Sequence, residues 1–297
     1  EKLLDVAANF EIVLWPCVMD FKKSDIEALA DGEIAVTLFN GAIRNDENAE
    51  WAHLLRRKSQ VLVAYGSCAI EGCAPGLANF SDRSQMMRYI FHDAPGTDNP
   101  DGIDPQTEVV TEHGDTLTLP AFWNTVRTLN QVVEVDYYLP GCPPEAKWAE
   151  AALDAIVAGK LPEKGAVMGL DVTVCDECPR KRSEKKISRF YRPYEIIPDP
   201  EICLLDQGLF CAGIATRAGC GALCPLVNRG CEGCYGPNEG VIDGGAKLIA
   251  ALASVLDAET PEQMDVILDT LPDPAGYFYR FSLAHSVLHR AHLTGKN

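Results

Sequence analysis

The sequence contains no apolar run of the about 18 to 20 residues that a membrane-spanning helix needs. The closest stretch, residues 246–256, is too short and is predicted to be an amphipathic helix. Basic residues are also scarce: 26 Lys and Arg stand against 43 Asp and Glu, which gives a net charge of −17. This charge repels nucleic-acid phosphates and anionic membrane surfaces, so we expect no nucleic acid as a partner and no membrane span.

The sequence also lacks the usual signatures of a chain that makes or breaks bonds. It has no G-x-G-x-x-G or Walker loop for phosphate and no nucleophile paired with a base. None of its six histidines lies among the clustered cysteines. We therefore predict no catalytic residue in this chain.

Cysteine, in contrast, is abundant, and eight of the 12 cysteines fall in one stretch as two sets of four. The stretch begins with a C-x₂-C-P unit and ends with a C-x₃-C-P unit followed by C-x₂-C. Such units are typical of cysteines around iron–sulfur clusters, although ferredoxins have the last two in the opposite order. Interleaved glycines would let backbone amides donate hydrogen bonds to cluster sulfurs. The eight are Cys175, Cys178, Cys203, Cys211, Cys220, Cys224, Cys231 and Cys234.

Two other uses of these cysteines compete with iron–sulfur clusters. Disulfides are typical of small secreted domains, and this chain of 297 residues is too long for such a scaffold. Zinc is the stronger alternative, because paired C-x₂-C units with four thiolates also suit tetrahedral Zn²⁺, and spacing alone leaves a zinc-stabilised interaction module open. Twelve cysteines kept as metal ligands indicate a reducing compartment, so we expect a cytoplasmic protein.

The first half of the sequence predicts a doubly wound α/β fold with a parallel sheet. Short apolar runs predict strands, and helical patterns lie between and after them. A long insertion at residues 81–131 carries a predicted hairpin, with strands at 107–110 and 116–119. The predicted strands are residues 11–15, 34–39, 61–65 and 135–138, and the predicted helices are residues 24–30, 47–57 and 143–158.

From about residue 161 the strand pattern ends, and we predict two domains, residues 1–160 and 161–297. The second is predicted to be loop-rich and to need its metals in order to fold. It should end in helices at residues 246–258 and 261–271, with the aromatic residues at 277–281 anchoring the tail.

Two further cysteines, Cys68 and Cys142, each follow a predicted strand and a glycine. The carboxyl ends of parallel strands meet at one edge of the sheet, where ligands bind, so the two thiols should lie on one crevice. The alternative is that they are unrelated buried thiols. Cys17 and Cys73 lack such a context and are predicted to be core residues.

These residues resemble one family, the small subunit of [NiFe] hydrogenases, and most closely the soluble type associated with methyl-viologen reduction and heterodisulfide reductase. The resemblance runs from about residue 34 to 236. Its most specific motifs are Gly66-Ser67-Cys68-Ala69, Pro75-Gly76-Leu77-Ala78-Asn79, Tyr137-Tyr138-Leu139-Pro140-Gly141-Cys142-Pro143-Pro144, Cys175-Asp176-Glu177-Cys178-Pro179-Arg180 and Gly233-Cys234-Tyr235-Gly236-Pro237.

The resemblance implies an electron-transfer subunit with a flavodoxin-like domain and three [4Fe-4S] clusters. Electrons from H₂ would come from a nickel–iron centre in a separate large subunit and leave to a heterodisulfide reductase, ferredoxin or flavoprotein partner. Cys68 and Cys142 match proximal ligands (the proximal pair). The distal set comprises Cys175, Cys178, Cys203 and Cys211, and the medial set comprises Cys220, Cys224, Cys231 and Cys234.

Departures from the family pattern leave a second reading open. Many relatives have Glu-Gly where this chain has Asn40-Gly41, and an amide cannot relay a proton as a carboxylate can. The alternative function is therefore an iron–sulfur wire in a non-hydrogenase redox complex whose large subunit lacks nickel.

The proximal pair supplies two thiolates where a cubane cluster takes four. In addition, residues 1–10 are predicted to be the helix that follows the first strand of such a sheet. We therefore expect residues upstream of Glu1 to contain an apolar strand and a C-x-x-C loop that completes the proximal cluster.

Overall fold

The computed structural model describes residues 2–183 and 186–288, and it has the predicted α/β architecture. The strands are β1 Ile34–Phe39, β2 Ile43–Asn45, β3 Ser59–Tyr65, β4 Glu108–Val110, β5 Thr116–Thr118, β6 Phe122–Arg127 and β7 Tyr137–Leu139. The helices are α1 Lys2–Asn9, α2 Lys23–Ala28, α3 Asp46–Lys58, α4 Ser67–Glu71, α5 Arg83–Arg88, α6 Ala146–Val157, α7 Val174–Glu177, α8 Leu223–Leu226, α9 Gly244–Ala253, α10 Pro261–Leu268 and α11 Pro274–Tyr279.

The central sheet has three parallel strands in the order β1-β3-β7. Its middle strand β3 is apolar on both sides because helices cover both faces. Leu62 and Ala64 pack with α2 and α3, whereas Val63 packs on the other face with Trp148 of α6. The prediction of a parallel sheet between helices is therefore confirmed.

The predicted strand at residues 11–15 is wrong. Ile12 and Leu14 are half-buried and their neighbours exposed, which is the alternation of a strand, yet the segment has no strand conformation. A strand exists only when its N–H and C=O groups pair with a neighbour, and among the described residues β1 pairs with β3 alone.

The predicted insertion contains a strand that the sequence analysis did not identify. The strand β6 pairs antiparallel with β2, and the buried Asn79 side chain both donates to and accepts from the main chain of Val126, at 2.9 and 2.7 Å. Asn79 thus acts as a strand partner, which gives the Pro75-to-Asn79 motif a structural role. The predicted hairpin is present as β4 and β5, and all of its strand residues are exposed.

The second half has its own core around the clustered cysteines. Cys211 and Cys231 are buried in it with side chains from α9 and α10. Phe210 stacks on Tyr277 with ring centroids 4.3 Å apart, so the predicted anchoring of the tail by aromatic residues is confirmed. Residues 166–168 run beside β7, where Tyr138 exchanges hydrogen bonds with Ala166 and Met168.

Within the part of the chain that the structure describes, every helix is too short or too polar to cross a bilayer.

A buried carboxylate ties the central strands together. Asp136, which is 1 % exposed, accepts hydrogen bonds from the Leu62 N–H at 2.8 Å, Arg56 Nη1 at 2.7 Å and Lys164 Nζ at 2.6 Å. Burial alone would raise the pKa of Asp136, but these three donors outweigh it and lower the pKa to about 2.

We expect Asp136→Asn to lower the free energy of unfolding by about 1–3 kcal/mol at pH 7, because the amide cannot accept from three donors as a carboxylate does. Urea titrations should compare it with Asp101→Asn, which removes the same charge from an exposed site. The folded pKa of Asp136 lies below its ordinary value of 3.8, so the difference should persist above that pH and shrink as pH falls towards 2. Equal unfolding curves for the two variants would contradict this role.

Candidate functional site

Cys68 and Cys142 lie on adjacent loops at the carboxyl edge of the sheet. The Gly66 N–H donates to the Leu139 carbonyl and the Ser67 N–H to the Gly141 carbonyl, both at 2.8 Å. Gly66 has φ +84°, and a side chain there would lie against the Gly141 carbonyl. The structure therefore places both loops of the proximal pair on one crevice, where the strand ends predicted it.

Cys73 joins this crevice, although the sequence analysis treated it as an ordinary core residue. Its side chain is buried, hydrogen-bonds to Cys68 and also lies near Cys142. The hydrogen bond from Cys73 lowers the pKa of the Cys68 thiol to about 7, against the opposing effect of burial. The spacing C-x₄-C was the only sequence signal for this contact. Cys17 was also predicted to be buried, and that is wrong because it is exposed.

The four cysteines of the distal set line one pocket. It encloses about 320 Å³ of empty space, part of it open to solvent, and Val174, Leu204 and Leu205 form apolar parts of its wall. Cys175 lies near the thiols of the other three, Cys178, Cys203 and Cys211. Chain segments more than 25 residues apart thus bring all four sulfurs to one cavity.

The medial set also comes together. Cys234 lies near Cys220 and Cys224, and Cys231 lies near Cys234. Cys231 additionally faces the distal set, because its N–H donates to Cys211 Sγ at 3.2 Å. The two sets are therefore neighbours.

Main-chain amides point at several of these sulfurs. Gly213 and Cys231 donate to Cys211, and Gly233 donates to Cys231. Donors of this kind stabilise negative charge on sulfur and tune the reduction potential of an iron–sulfur cluster. The glycines expected to permit such contacts include two that make them.

Burial sets the protonation state of the metal-free thiols. It raises the pKa of Cys175 and of Cys234 to about 12, with further increases from neighbouring thiolates. It also raises the pKa of Cys211 and Cys231. Binding of a metal centre must therefore displace protons, so its affinity should increase with pH.

Two side chains tie the distal and medial loops to each other. The Glu177 carboxylate accepts from the N–H groups of Gly219 and Gly221, at 2.9 and 3.0 Å, which flank Cys220. The buried Arg180 guanidinium donates to the carbonyls of Pro225 and Ile202 at 2.9 Å. The acidic and basic residues of the Cys175-to-Arg180 motif are therefore structural clamps on the cysteine loops.

A seam joins the first and second halves of the chain beside the proximal pair. The Cys142 N–H lies against the sulfur of Cys234, and the Ser67 hydroxyl donates to the Cys234 carbonyl. Close by, the Trp148 indole donates to the Gly219 carbonyl at 2.9 Å. Cys234 of the medial set is thus in contact with the crevice of the proximal pair.

Glu71 of α4 is a second buried residue at this seam that the sequence analysis missed. Burial raises its pKa to about 8, with Asp243 adding to the increase and Arg217 opposing it. Its carboxyl group lies next to Gly236, so a proton-holding group sits between the two halves.

The donor chemistry of both sets of four is uniform. All eight are thiols, and such a set suits iron–sulfur clusters. Among the described residues, no three His, Cys, Asp or Glu side chains converge as ligands of a single metal ion. The distal thiols are instead distributed around a cavity that fits a larger group.

Comparison with known proteins gives one family. The model for the family described as NADH ubiquinone oxidoreductase, 20 Kd subunit, matches residues 1–156.

The similar curated proteins cover almost the whole chain. The iron-sulfur subunit of the F420-non-reducing hydrogenase of Archaeoglobus profundus is 38 % identical over 297 residues, which are 98 % of this chain and 91 % of that protein. A subunit of the F420-non-reducing hydrogenase of Methanothermobacter thermautotrophicus is 34 % identical over 97 % of this chain and 89 % of its own. A solved NAD⁺-reducing [NiFe]-hydrogenase matches 55 % of this chain and 81 % of its own at 29 % identity, with a TM-score of 0.45.

We expect Glu177→Gln to weaken metal retention, because a neutral amide is a poorer acceptor for the two amides that hold Cys220. Iron release to a chelator should be about 10-fold faster than from the unaltered protein. The matched control is Glu112→Gln, which removes the same charge from an exposed residue in the hairpin. Identical release rates for the two variants would show that the clamp is unimportant.

Proposed function

We infer the function from the family: the chain belongs to a family of F420-non-reducing hydrogenase subunits, within the NADH ubiquinone oxidoreductase 20 Kd subunit family. It is accordingly a non-catalytic, electron-transfer member of an oxidoreductase complex. Our proposal is that it relays electrons from H₂ oxidation through three [4Fe-4S] clusters. When bound, these clusters would supply one-electron redox chemistry, and the protein residues would hold them, exclude water and set their potentials.

The observation that carries this proposal is the shared pocket of the distal set. Four thiols from three loops line one cavity with apolar walls and backbone donors, which is the environment that a [4Fe-4S] cluster requires. The medial set offers a second group of four thiols beside it. We assign one [4Fe-4S] cluster to each set.

The order of the clusters follows from the contacts between the sets. The distal set touches the medial set through Cys211 and Cys231, and the medial set touches the crevice of the proximal pair through Cys234 and Cys142. We propose the path proximal, medial, distal. The proposal includes the expectation that residues upstream of Glu1 supply the two remaining proximal ligands.

The proposed partners are a large subunit with the nickel–iron centre and an acceptor subunit with iron–sulfur or flavin groups. Heterodisulfide reductase is the acceptor that the resemblance favours. The cytoplasmic location expected from cysteine use stays a prediction.

A second candidate keeps the electron path and changes its source. Asn40, at the carboxyl end of β1, is exposed and carries an amide where many relatives have a carboxylate. This favours a redox complex whose large subunit lacks nickel. Metal analysis of the purified complex separates the two candidates: iron with nickel supports the hydrogenase, and full iron without nickel supports the alternative.

The zinc alternative disagrees with the relatives, one of which is named an iron-sulfur subunit. Broad visible absorption of the purified protein would exclude zinc as the only metal, and a colourless protein would support it.

We expect the reduced complex to show electron paramagnetic resonance signals of two [4Fe-4S] clusters from the distal and medial sets. Cys220→Ser should alter one of them and lower H₂-dependent dye reduction by about 10-fold or more, because a cluster in the path loses a ligand. Cys17→Ser, at an exposed thiol outside the sets, is the control. A native three-iron signal from the medial set would contradict the assignment.

A further inference from the structure

The thiol of Cys73 makes a contact that the proposed ligand sets do not use. It forms a hydrogen bond with the sulfur of Cys68, the ligand assigned to the proximal cluster. The Cys142 thiol, the other member of the proximal pair, lies nearby. Three thiols therefore share the crevice at the carboxyl ends of β3 and β7.

The surroundings of Cys73 favour a neutral thiol over an additional thiolate. Its residue is only 4 % exposed, and burial disfavours the charged form of a thiol. The neighbouring sulfurs of Cys68 and Cys142 would already carry negative charge as cluster ligands. Of the two sulfurs in the hydrogen bond, Cys68 is therefore the acceptor and Cys73 the S–H donor.

The backbone holds Cys73 firmly in this position. Cys73 has φ +50° and ψ −156°, a region that residues with side chains rarely occupy. A side chain at the preceding Gly72 would collide with the buried Ala284, and the Gly76 N–H donates to the Cys73 carbonyl at 2.9 Å. The loop is thus packed so that the Cys73 side chain faces Cys68.

We propose that Cys73 is a positioning residue whose S–H group donates a hydrogen bond to the Cys68 ligand sulfur and thereby raises the reduction potential of the proximal cluster. A hydrogen bond to a ligand sulfur stabilises the more negative, reduced cluster. The inference rests on the proposed function, because it takes Cys68 as a cluster ligand. Ligation and electron transfer involve no change at Cys73 itself, which keeps its proton throughout.

The test is a redox titration of the purified complex, followed by electron paramagnetic resonance, for the unaltered chain and its variants. Cys73→Ala removes the donor, and Cys73→Ser keeps an O–H donor of similar size. Cys73→Gly also removes the donor and suits the positive φ, so it provides a second variant if the alanine protein does not fold. Cys17→Ala controls for the loss of a thiol elsewhere.

We expect the midpoint potential of one cluster to fall in Cys73→Ala and Cys73→Gly while the other clusters keep theirs. Cys73→Ser and Cys17→Ala should stay within the spread of repeat titrations of the unaltered complex. Unchanged potentials in the alanine and glycine variants would overturn the inference. A rise in potential would also overturn it, because removing a ligating thiolate, and not a donor, makes the cluster less negative.

The titration also separates this inference from the function on which it rests. Iron–sulfur signals in the unaltered complex with no downward shift in the variants would overturn the role of Cys73 alone. Absence of such signals from the unaltered complex would overturn the proposed function, and the role of Cys73 with it.

Discussion

The second half of the chain depends on the burial of its cysteine sulfurs. Cys211 and Cys231 are part of the hydrophobic core that α9 and α10 complete, so the same atoms that would ligate metal also fill the interior. Burial keeps these thiols protonated in the absence of metal. Metal binding and folding are therefore coupled in this region: the core closes around sulfurs whose negative charge only a metal centre and nearby amide donors can balance.

Period-two and helical patterns were sufficient to predict the parallel strands at residues 34–39 and 61–65, since each is buried on both faces. Counting and spacing were sufficient to separate the distal and medial sets, because metal ligands in each set recur at short intervals. Residues 11–15 show why pattern is not enough: their alternation fits a strand, but pairing depends on a neighbour elsewhere. The strand β6 was missed for the converse reason, because its partners β2 and Asn79 are distant in sequence.

The residues missed at the site share a physical feature. Cys73, Glu71 and Glu177 act through contacts that depend on tertiary structure: a thiol against Cys68, a carboxyl against the second half, and a carboxylate between two glycine amides. No spacing rule reports such contacts. Asn79 and Arg180, in contrast, were conspicuous within motifs, yet both serve to hold loops and strands in place.

The proximal crevice and the other two sites differ in the length of chain that each must organise. The distal and medial sets lie within 60 consecutive residues, from 175 to 234. Cys68 and Cys142 are 74 positions apart, and they meet only after β3 and β7 have paired, since the Ser67 amide bonds the Gly141 carbonyl at the ends of those strands. Closing this longer loop costs more conformational entropy. The crevice therefore forms late in folding, and a machinery that delivers clusters meets a second half that is able to accept them before the sheet is complete.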